Sequence, residues 1–260
     1  MISVATQSQL NISPLKVIRG ISPGAAEDFH TISQYVKTHF SKQSQRPIKV
    51  LEAGCGQKPF LEPTTMNYQI TGVDASSEAI ALRNQNRGDL ERSIVGDITT
   101  IALPANEYDI VCSSYVLEHV DGAEKALENF CSWLKPGGLL IIRMPDPSTA
   151  YSFLAKHLPF WMHVVAKRAM GSKTAGKPGY DPFPTFFDPI VSRAGMYQFC
   201  QNHDLDIKME YSYGFDKFEA MYPIGNLLLK TLSLLSLGKL DANRCDLLYI
   251  IEKQSDRPTP

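Results

Sequence analysis

Between residues 48 and 145 short apolar runs alternate with stretches of helical spacing, and this alternation constrains the fold more than any other feature of the chain. IKVLEA (48–53), QITGVDAS (69–76), SIVGDIT (93–99), YDIVCSSY (108–115) and GGLLIIRMP (137–145) read as buried strands. SEAIALRNQNR (77–87) and GAEKALENFCSWLK (122–135) read as the helices between them, and Lys135-Pro136-Gly137-Gly138 as the turn into the fifth strand. Strand–helix–strand alternation gives parallel strands, and parallel crossovers place helices on both faces of an open sheet. In such sheets ligands bind beyond the carboxyl ends of the strands, so the residues that follow each strand carry the functional information.

Those residues are suggestive. The first strand ends in Glu52-Ala53-Gly54-Cys55-Gly56, where two glycines let backbone approach a ligand closely. The second ends at Asp74, twenty residues after Gly54 and suited to accepting hydrogen bonds from two ribose hydroxyls. The third ends at Asp97-Ile98, a carboxylate for an exocyclic amine and an apolar side chain for a purine face. The fourth opens into Cys112-Ser113-Ser114-Tyr115, while Asp109 at its start reads as structural. A dinucleotide fingerprint needs a third glycine where Pro59 stands, and only thirteen residues, two of them prolines, separate Gly56 from Ile70. A pyrophosphate seated on a proper helix is therefore poorly supported, which counts against an NAD-linked reductase. A ligand with ribose and adenine but no phosphate fits better.

E-x-G-C-G at the first strand, V-D at the second, G-D at the third, D-I-V…L-E-H-V at the fourth and L-K-P-G-G before the fifth resemble the class I methyltransferases that use S-adenosylmethionine, in particular the small-molecule group with the LEHV segment. The resemblance covers roughly residues 45–147 and departs from the common pattern at Gln57-Lys58-Pro59. It implies a Rossmann-like, seven-stranded, mostly parallel sheet whose last strand is antiparallel. It also implies roles: Glu52, Gly54, Cys55 and Gly56 along the methionine and ribose part of the cofactor, Asp74 on the ribose hydroxyls, Ala75 beside the adenine, Asp97 and Ile98 around the adenine, and Ser113, Ser114 and Tyr115 near the sulfonium. Read from its own chemistry, His119 follows the fourth strand and has a side chain able to take a proton from an attacking hydroxyl. The plainer reading of His119 is a packed or capping histidine in a common segment.

The chain is expected to form one domain: an N-terminal lead-in over 1–44, a cofactor-binding core over 45–147, a substrate insertion over 148–190 and a sheet completion over 191–260. Within the lead-in, residues 1 to about 24 are polar and read as loosely packed, and 25–42 as an amphipathic helix. The insertion changes character. Residues 147–180 hold Lys156, Lys167, Arg168, Lys173 and Lys177 and no acidic residue, so a formal net charge of −1 (26 basic, 27 acidic) divides into +5 here and −6 elsewhere. The core is thus not basic, and a long nucleic acid is excluded as a partner. The basic segment suits a membrane surface, an anionic lipid or an acidic substrate, or else an insertion packed on the core with solvated lysines. Trp161 within it, and Tyr180, Phe183, Phe186 and Phe187 in the Pro- and Gly-rich loop 176–188, are candidate walls for an acceptor. PIVSRAGMYQFCQNH (189–203) returns to helical spacing, and 205–215 and 244–253 read as strands. Leucine-rich 222–238 reads as a core, dimer-face or membrane-surface helix too short to span a bilayer.

Five scattered cysteines without a C-x-x-C favour reduced thiols in the cytoplasm and give no metal site. The N-terminal residues lack the apolar core of a signal peptide. The sequence thus points to methyl transfer from S-adenosylmethionine to a small-molecule or lipid-like acceptor. The alternative is a non-catalytic S-adenosylmethionine-binding or membrane-surface module.

Overall fold

The computed structural model describes residues 16–18, 26–41, 46–61, 66–169, 171–177, 180–186, 188–214 and 223–255. In chain order the elements are β1 (Lys16–Ile18), α1 (Ala26–His39), β2 (Ile48–Ala53), β3 (Tyr68–Asp74), α2 (Ser77–Asn86), β4 (Arg92–Val95), β5 (Tyr108–Ser114), a single 3-10 turn (Leu117–His119), α3 (Ala123–Trp133), β6 (Leu134–Pro145), α4 (Ala150–His157), α5 (Phe160–Ala169), α6 (Arg193–Asn202), β7 (Leu205–Gly214), α7 (Pro223–Leu235) and β8 (Arg244–Lys253).

The strands form one sheet in the order β1-β7-β8-β6-β5-β2-β3-β4. All pairings are parallel except those of β8, which runs antiparallel to both β6 and β7. The Rossmann-like expectation holds, with eight strands rather than seven. The extra strand is β1, which pairs Lys16–Ile18 with Tyr211–Tyr213 at the sheet edge. Three residues are too few to show a strand period, so this part of the expected loose lead-in is recruited by edge pairing instead. The rest of residues 1–24 lies outside the described residues.

Each sheet face is covered, as parallel strands require. On one side Ala123, Leu127 and Phe130 of α3 and Met196 and Phe199 of α6 pack on Leu51, Val111, Leu140 and Tyr249. On the other, Ile32 and Val36 of α1 and Leu229 of α7 pack on Val50, Ile110, Ile141 and Leu248. The helix starts follow capping chemistry. The Ser76 hydroxyl accepts from the Ala79 amide at 3.1 Å at the head of α2, and Ser192 does the same for Gly195 at the head of α6. Two strands differ in length from expectation by three residues, the other expected strands by at most one. β4 stops at Val95, because Asp97 begins a turn whose carbonyl accepts from Thr100 and Ile101. β6 starts at Leu134, because the expected turn residues Lys135–Gly138 are absorbed where the register against β5 slips between Tyr108 and Ile110.

The end of the sheet opposite the ligand side is tied by Asp109. Its buried carboxylate takes Arg46 at 2.7 Å on each oxygen, Lys135 at 2.9 Å and the Lys49 amide at 2.9 Å. Burial would raise its pKa, but these donors outweigh burial and hold it at about 2. The sequence reading of Asp109 as structural agrees with this placement.

Candidate active site

The carboxyl ends of β2, β3 and β5 meet in a glycine-lined turn. Gly54 and Cys55 both donate their amides to the Val73 carbonyl, which folds the chain back over β3 as it leaves β2. Gly54 has φ +72°, and a Cβ there would lie 2.2 Å from Cγ2 of Val116, so the residue after β2 and the segment after β5 touch only because this position is glycine. Gly56 has φ +48° and open space where a side chain would stand. Its amide donates to Oδ2 of Asp74 at 2.8 Å, while Ser76 donates to Oδ1 at 2.8 Å. Ser76, not Asp74, caps α2. The Asp74 carboxylate is thus held at the mouth of the sheet beside exposed backbone, with Ala75 exposed next to it.

The remaining expected cofactor positions divide. Glu52 is fully buried: Oε1 accepts from the Phe60 amide at 2.9 Å, and Oε2 lies 2.5 Å from Nη1 of Arg83. Burial raises its pKa, and Arg83 and the Phe60 amide oppose that. Cys55 turns into the sheet, its Sγ 2.9 Å from where a Cβ on Gly72 would sit, and burial pushes its thiol up to about 12. It is packing, not a nucleophile. Asp97 is exposed, with Oδ1 accepting from the Thr99 amide and hydroxyl. Ile98 packs into the core, and its carbonyl, with that of Thr99, is held by Asn129 of α3. Ser113 is buried and donates to the Ala53 carbonyl at 2.9 Å, tying β5 to β2, while Ser114 is half-buried at the strand end.

Tyr115 has φ +56°, an uncommon conformation for a bulky residue. Its hydroxyl donates at 2.8 Å to Oδ2 of Asp246, which β8 delivers to the same edge of the sheet. The next residues form the 3-10 turn. There Glu118 is buried with Oε2 lacking a hydrogen-bond partner, and burial together with the nearby Asp246 pushes its pKa up to about 8. Burial likewise raises Asp246 to about 6, against the pull of Tyr115, Cys245 and Arg143.

His119 faces the loop that follows α5. Its Nδ1 lies 2.6 Å from the Pro184 carbonyl, and its ring meets Phe183 edge-on at 5.8 Å. A carbonyl only accepts, so Nδ1 carries the proton and Nε2 keeps its lone pair. Burial lowers the His119 pKa, with the Pro184 bond opposing, which favours the neutral ring; Nε2 lies 3.8 Å from Oε1 of Glu118. The loop is further pinned by the Phe186 amide on the Glu118 carbonyl at 2.8 Å and by an ion pair between Asp181 and Lys167 of α5. Of the expected acceptor walls, Phe183 and Phe186 therefore stand at the turn. Tyr180 is half-buried earlier in the loop, Trp161 is exposed on α5, and Phe187 lies outside the described residues.

Sequence reasoning missed four side chains here. Arg83 is fully buried, and besides Glu52 it donates to the Cys55 and Lys58 carbonyls at 2.8 and 3.1 Å and to both oxygens of Asp89 at 3.0 Å. Glu118 was readable only as part of LEHV. Asp246 comes from far along the chain and Tyr151 from α4, 42% exposed and with its hydroxyl pushed up to about 12, burial first and Asp246 and Glu118 among the further causes; neither had a local signal.

These residues fit S-adenosylmethionine: backbone bare of side chain at Gly56, a fixed carboxylate at Asp74, and no helix among the described residues between β2 and β3 to seat a pyrophosphate. A sequence profile described as "Methyltransferase domain" matches residues 25–174. The chain belongs to the class I S-adenosylmethionine-dependent methyltransferases. Phosphoethanolamine N-methyltransferase 1 of Arabidopsis thaliana is 29% identical over 166 residues, 60% of this methyltransferase and 33% of the relative. The chain thus spans about a third of that relative's length. The ubiquinone biosynthesis O-methyltransferase of Bradyrhizobium sp. (strain ORS 278) is 35% identical over 98 residues, 36% of this chain and 39% of that protein. Among solved structures, Haemonchus contortus phosphoethanolamine N-methyltransferase 2 in complex with S-adenosyl-L-methionine superposes with a TM-score of 0.53 at 13% identity, over 91% of this methyltransferase and 54% of that chain. The [4+2]-cyclase SpnF gives 0.52 at 14% identity over 94% and 89%. These two likenesses show the fold alone, and the second illustrates that one fold serves more than one reaction.

Proposed function

We propose that this chain, as a single domain, transfers the methyl group of S-adenosylmethionine to a small-molecule or lipid-like acceptor. The observation that carries this reading is the Asp74 carboxylate, clasped by Gly56 and Ser76 beside open backbone at the mouth of β2 and β3. In this reading Asp74 takes the ribose hydroxyls, Gly54, Cys55 and Gly56 offer backbone to the methionine and ribose end, and Ala75, Asp97 and Ile98 border the adenine. Glu52 acts through Arg83 on the loop, and Ser113, Ser114 and Tyr115 border the sulfonium.

Bound S-adenosylmethionine supplies an electrophilic methyl on a sulfonium; the protein's task is alignment and proton removal. Nε2 of His119, unprotonated at neutral pH, receives the proton that a hydroxyl or ammonium acceptor gives up. Tyr115, anchored on Asp246, holds the chain between the cofactor loop and His119. Tyr180, Phe183, Phe186, Phe187 and Trp161 are proposed to exclude water on the acceptor side. The relatives' names include N- and O-methylation, and a neutral imidazole serves either. A cytoplasmic setting with peripheral membrane contact through 147–180 is also proposed. It is supported by five unpaired thiols, the acid-free basic segment, and the lack, among the described residues, of a helix long and apolar enough to cross a membrane.

Calorimetric titration with S-adenosylmethionine tests the cofactor site. Asp74→Ala is expected to weaken binding about 10–100-fold, the loss of charge-assisted hydrogen bonds. Absence of wild-type binding, or unchanged binding in the variant, overturns the assignment. Incorporation of labelled methyl into extracted metabolites and lipids separates an enzyme from a cofactor-binding module.

A further inference from the structure

The large apolar side chains left in water are concentrated on two helices. On α5, Trp161 is 63% exposed and Val165 55%. On α7, Leu227, Leu228, Leu234 and Leu235 are 67, 49, 77 and 74% exposed. Residues 227, 228, 234 and 235 recur at the spacing of one helix face, while Leu229 and Leu232 face the core. α7 therefore has two apolar faces, and only one is covered by this chain. The helices are neighbours through α4: only Leu158 and Pro159 separate α4 from α5, and Leu154 of α4 packs in the same cluster as Leu229 and Leu232.

The charges carried by these two segments are of one sign, although Asp181, just beyond the first, pairs with Lys167 of α5. Residues 147–180 carry five cations and no acid, and residues 223–240 add Lys230 and Lys239, again with no acid. We infer that α5 and the outer face of α7 form a docking surface for an anionic lipid bilayer, with α7 lying in the plane of the headgroups. At 13 residues α7 is about 20 Å long, too short to span but long enough to lay its leucines into the acyl boundary. The cation-rich fringe selects this occupant: in a symmetric pair of copies the same patch faces itself and sets like charges together. This extends the contact proposed for 147–180 to a second helix distant in sequence. Because Lys167 of α5 pairs with Asp181, docking also sets the His119–Phe183 loop beside the lipid. A lipid-soluble acceptor drawn from the bilayer is the consequence; it rests on the methyl-transfer reading, whereas the docking does not.

Flotation of the full chain with phosphatidylcholine vesicles containing phosphatidylglycerol tests it, with pure phosphatidylcholine vesicles and high salt as contrasts. The protein is expected to float with the anionic vesicles only, and less at high salt. Leu234→Glu/Leu235→Glu should lower partitioning about tenfold or more for each leucine no longer inserted. Lys173→Glu/Lys177→Glu should lower it about fivefold per cation. Both pairs are exposed, so unchanged melting curves and unchanged S-adenosylmethionine titration accompany the loss. Wild-type protein left at the bottom of the gradient, or flotation indifferent to the leucine pair, overturns the inference. So does a dimer in light scattering that Leu234→Glu/Leu235→Glu dissolves, since a second copy then covers the face. If S-adenosylmethionine binding fails while flotation holds, the methyl-transfer reading falls and the docking surface stands.

Discussion

Arg83→Met asks whether the loop after β2 is held from beneath. The guanidinium is wholly buried and joins Glu52 at 2.5 Å, the Cys55 and Lys58 carbonyls, and Asp89. Methionine fills much of the same volume but leaves the Glu52 carboxylate, 3% exposed, with no cation. Breaking a buried pair from one side costs about 3–5 kcal/mol. With a urea dependence of about 3 kcal/mol per molar for a chain of this size, the unfolding midpoint should fall by about 1–2 M. The effect should depend on pH with a definite sign. Glu52 already binds its proton more tightly in the folded state than its ordinary value of 4.5, and without Arg83 that pKa rises further. Stability from the protonated form is complete below the unfolded pKa and drains away as pH rises through the folded one, so the deficit of the variant should widen from pH 5 upward. Adding Glu52→Gln should recover part of the loss, because the orphaned charge is gone. S-adenosylmethionine affinity should fall with stability, since Cys55 and Lys58 lose their anchor. A variant within about 1 kcal/mol of wild type, or with unaltered cofactor affinity, would refute the reasoning.

Two further expectations concern the 3-10 turn. Holding the Glu118 carboxyl at about 8 instead of 4.5 corresponds to a ceiling of ~5 kcal/mol, at about 1.4 kcal/mol per tenfold change in proton affinity. Its contribution is present below pH 4.5 and is lost as pH rises toward 8, so Glu118→Gln should flatten the alkaline decline of the urea midpoint between pH 5.5 and 8.5; parallel profiles would contradict it. For His119, His119→Gln should lower methyl transfer about 10²–10⁴-fold while leaving the cofactor dissociation constant unchanged. Because burial lowers the imidazole pKa, the acid limb of wild-type kcat/KM should lie below pH 6.5. A variant within tenfold of wild type would remove His119 as the base.

The central strands were legible because a buried parallel strand is a continuous apolar run, and β2 was read to the residue. The place of Asp74 at the mouth of the sheet was legible because it ends a buried run twenty residues after a glycine turn. Arg83 was not. In LRNQNR it looks solvated, and only the fold brings it to Glu52, Cys55, Lys58 and Asp89. Ile98 was legible as an apolar residue after a strand but not in its surroundings: the turn begun by Asp97 packs its side chain against the core cluster at the strand end. Tyr115 and Asp246 are 131 residues apart, a pairing that no local pattern encodes.

The position of β8 bears on how this protein is made. It is the last strand among the described residues, yet it lies between β6 and β7 and is hydrogen-bonded to both. Until Arg244–Lys253 has left the ribosome, β6 presents an open edge and β7, with β1 beside it, has no strand linking it to the rest of the sheet. An unsatisfied edge of this kind invites pairing with other chains. The sheet thus cannot close before Lys253 has emerged. The same segment brings Asp246 to Tyr115, so the hydrogen bond that anchors the turn after β5 forms in the step that seals the sheet.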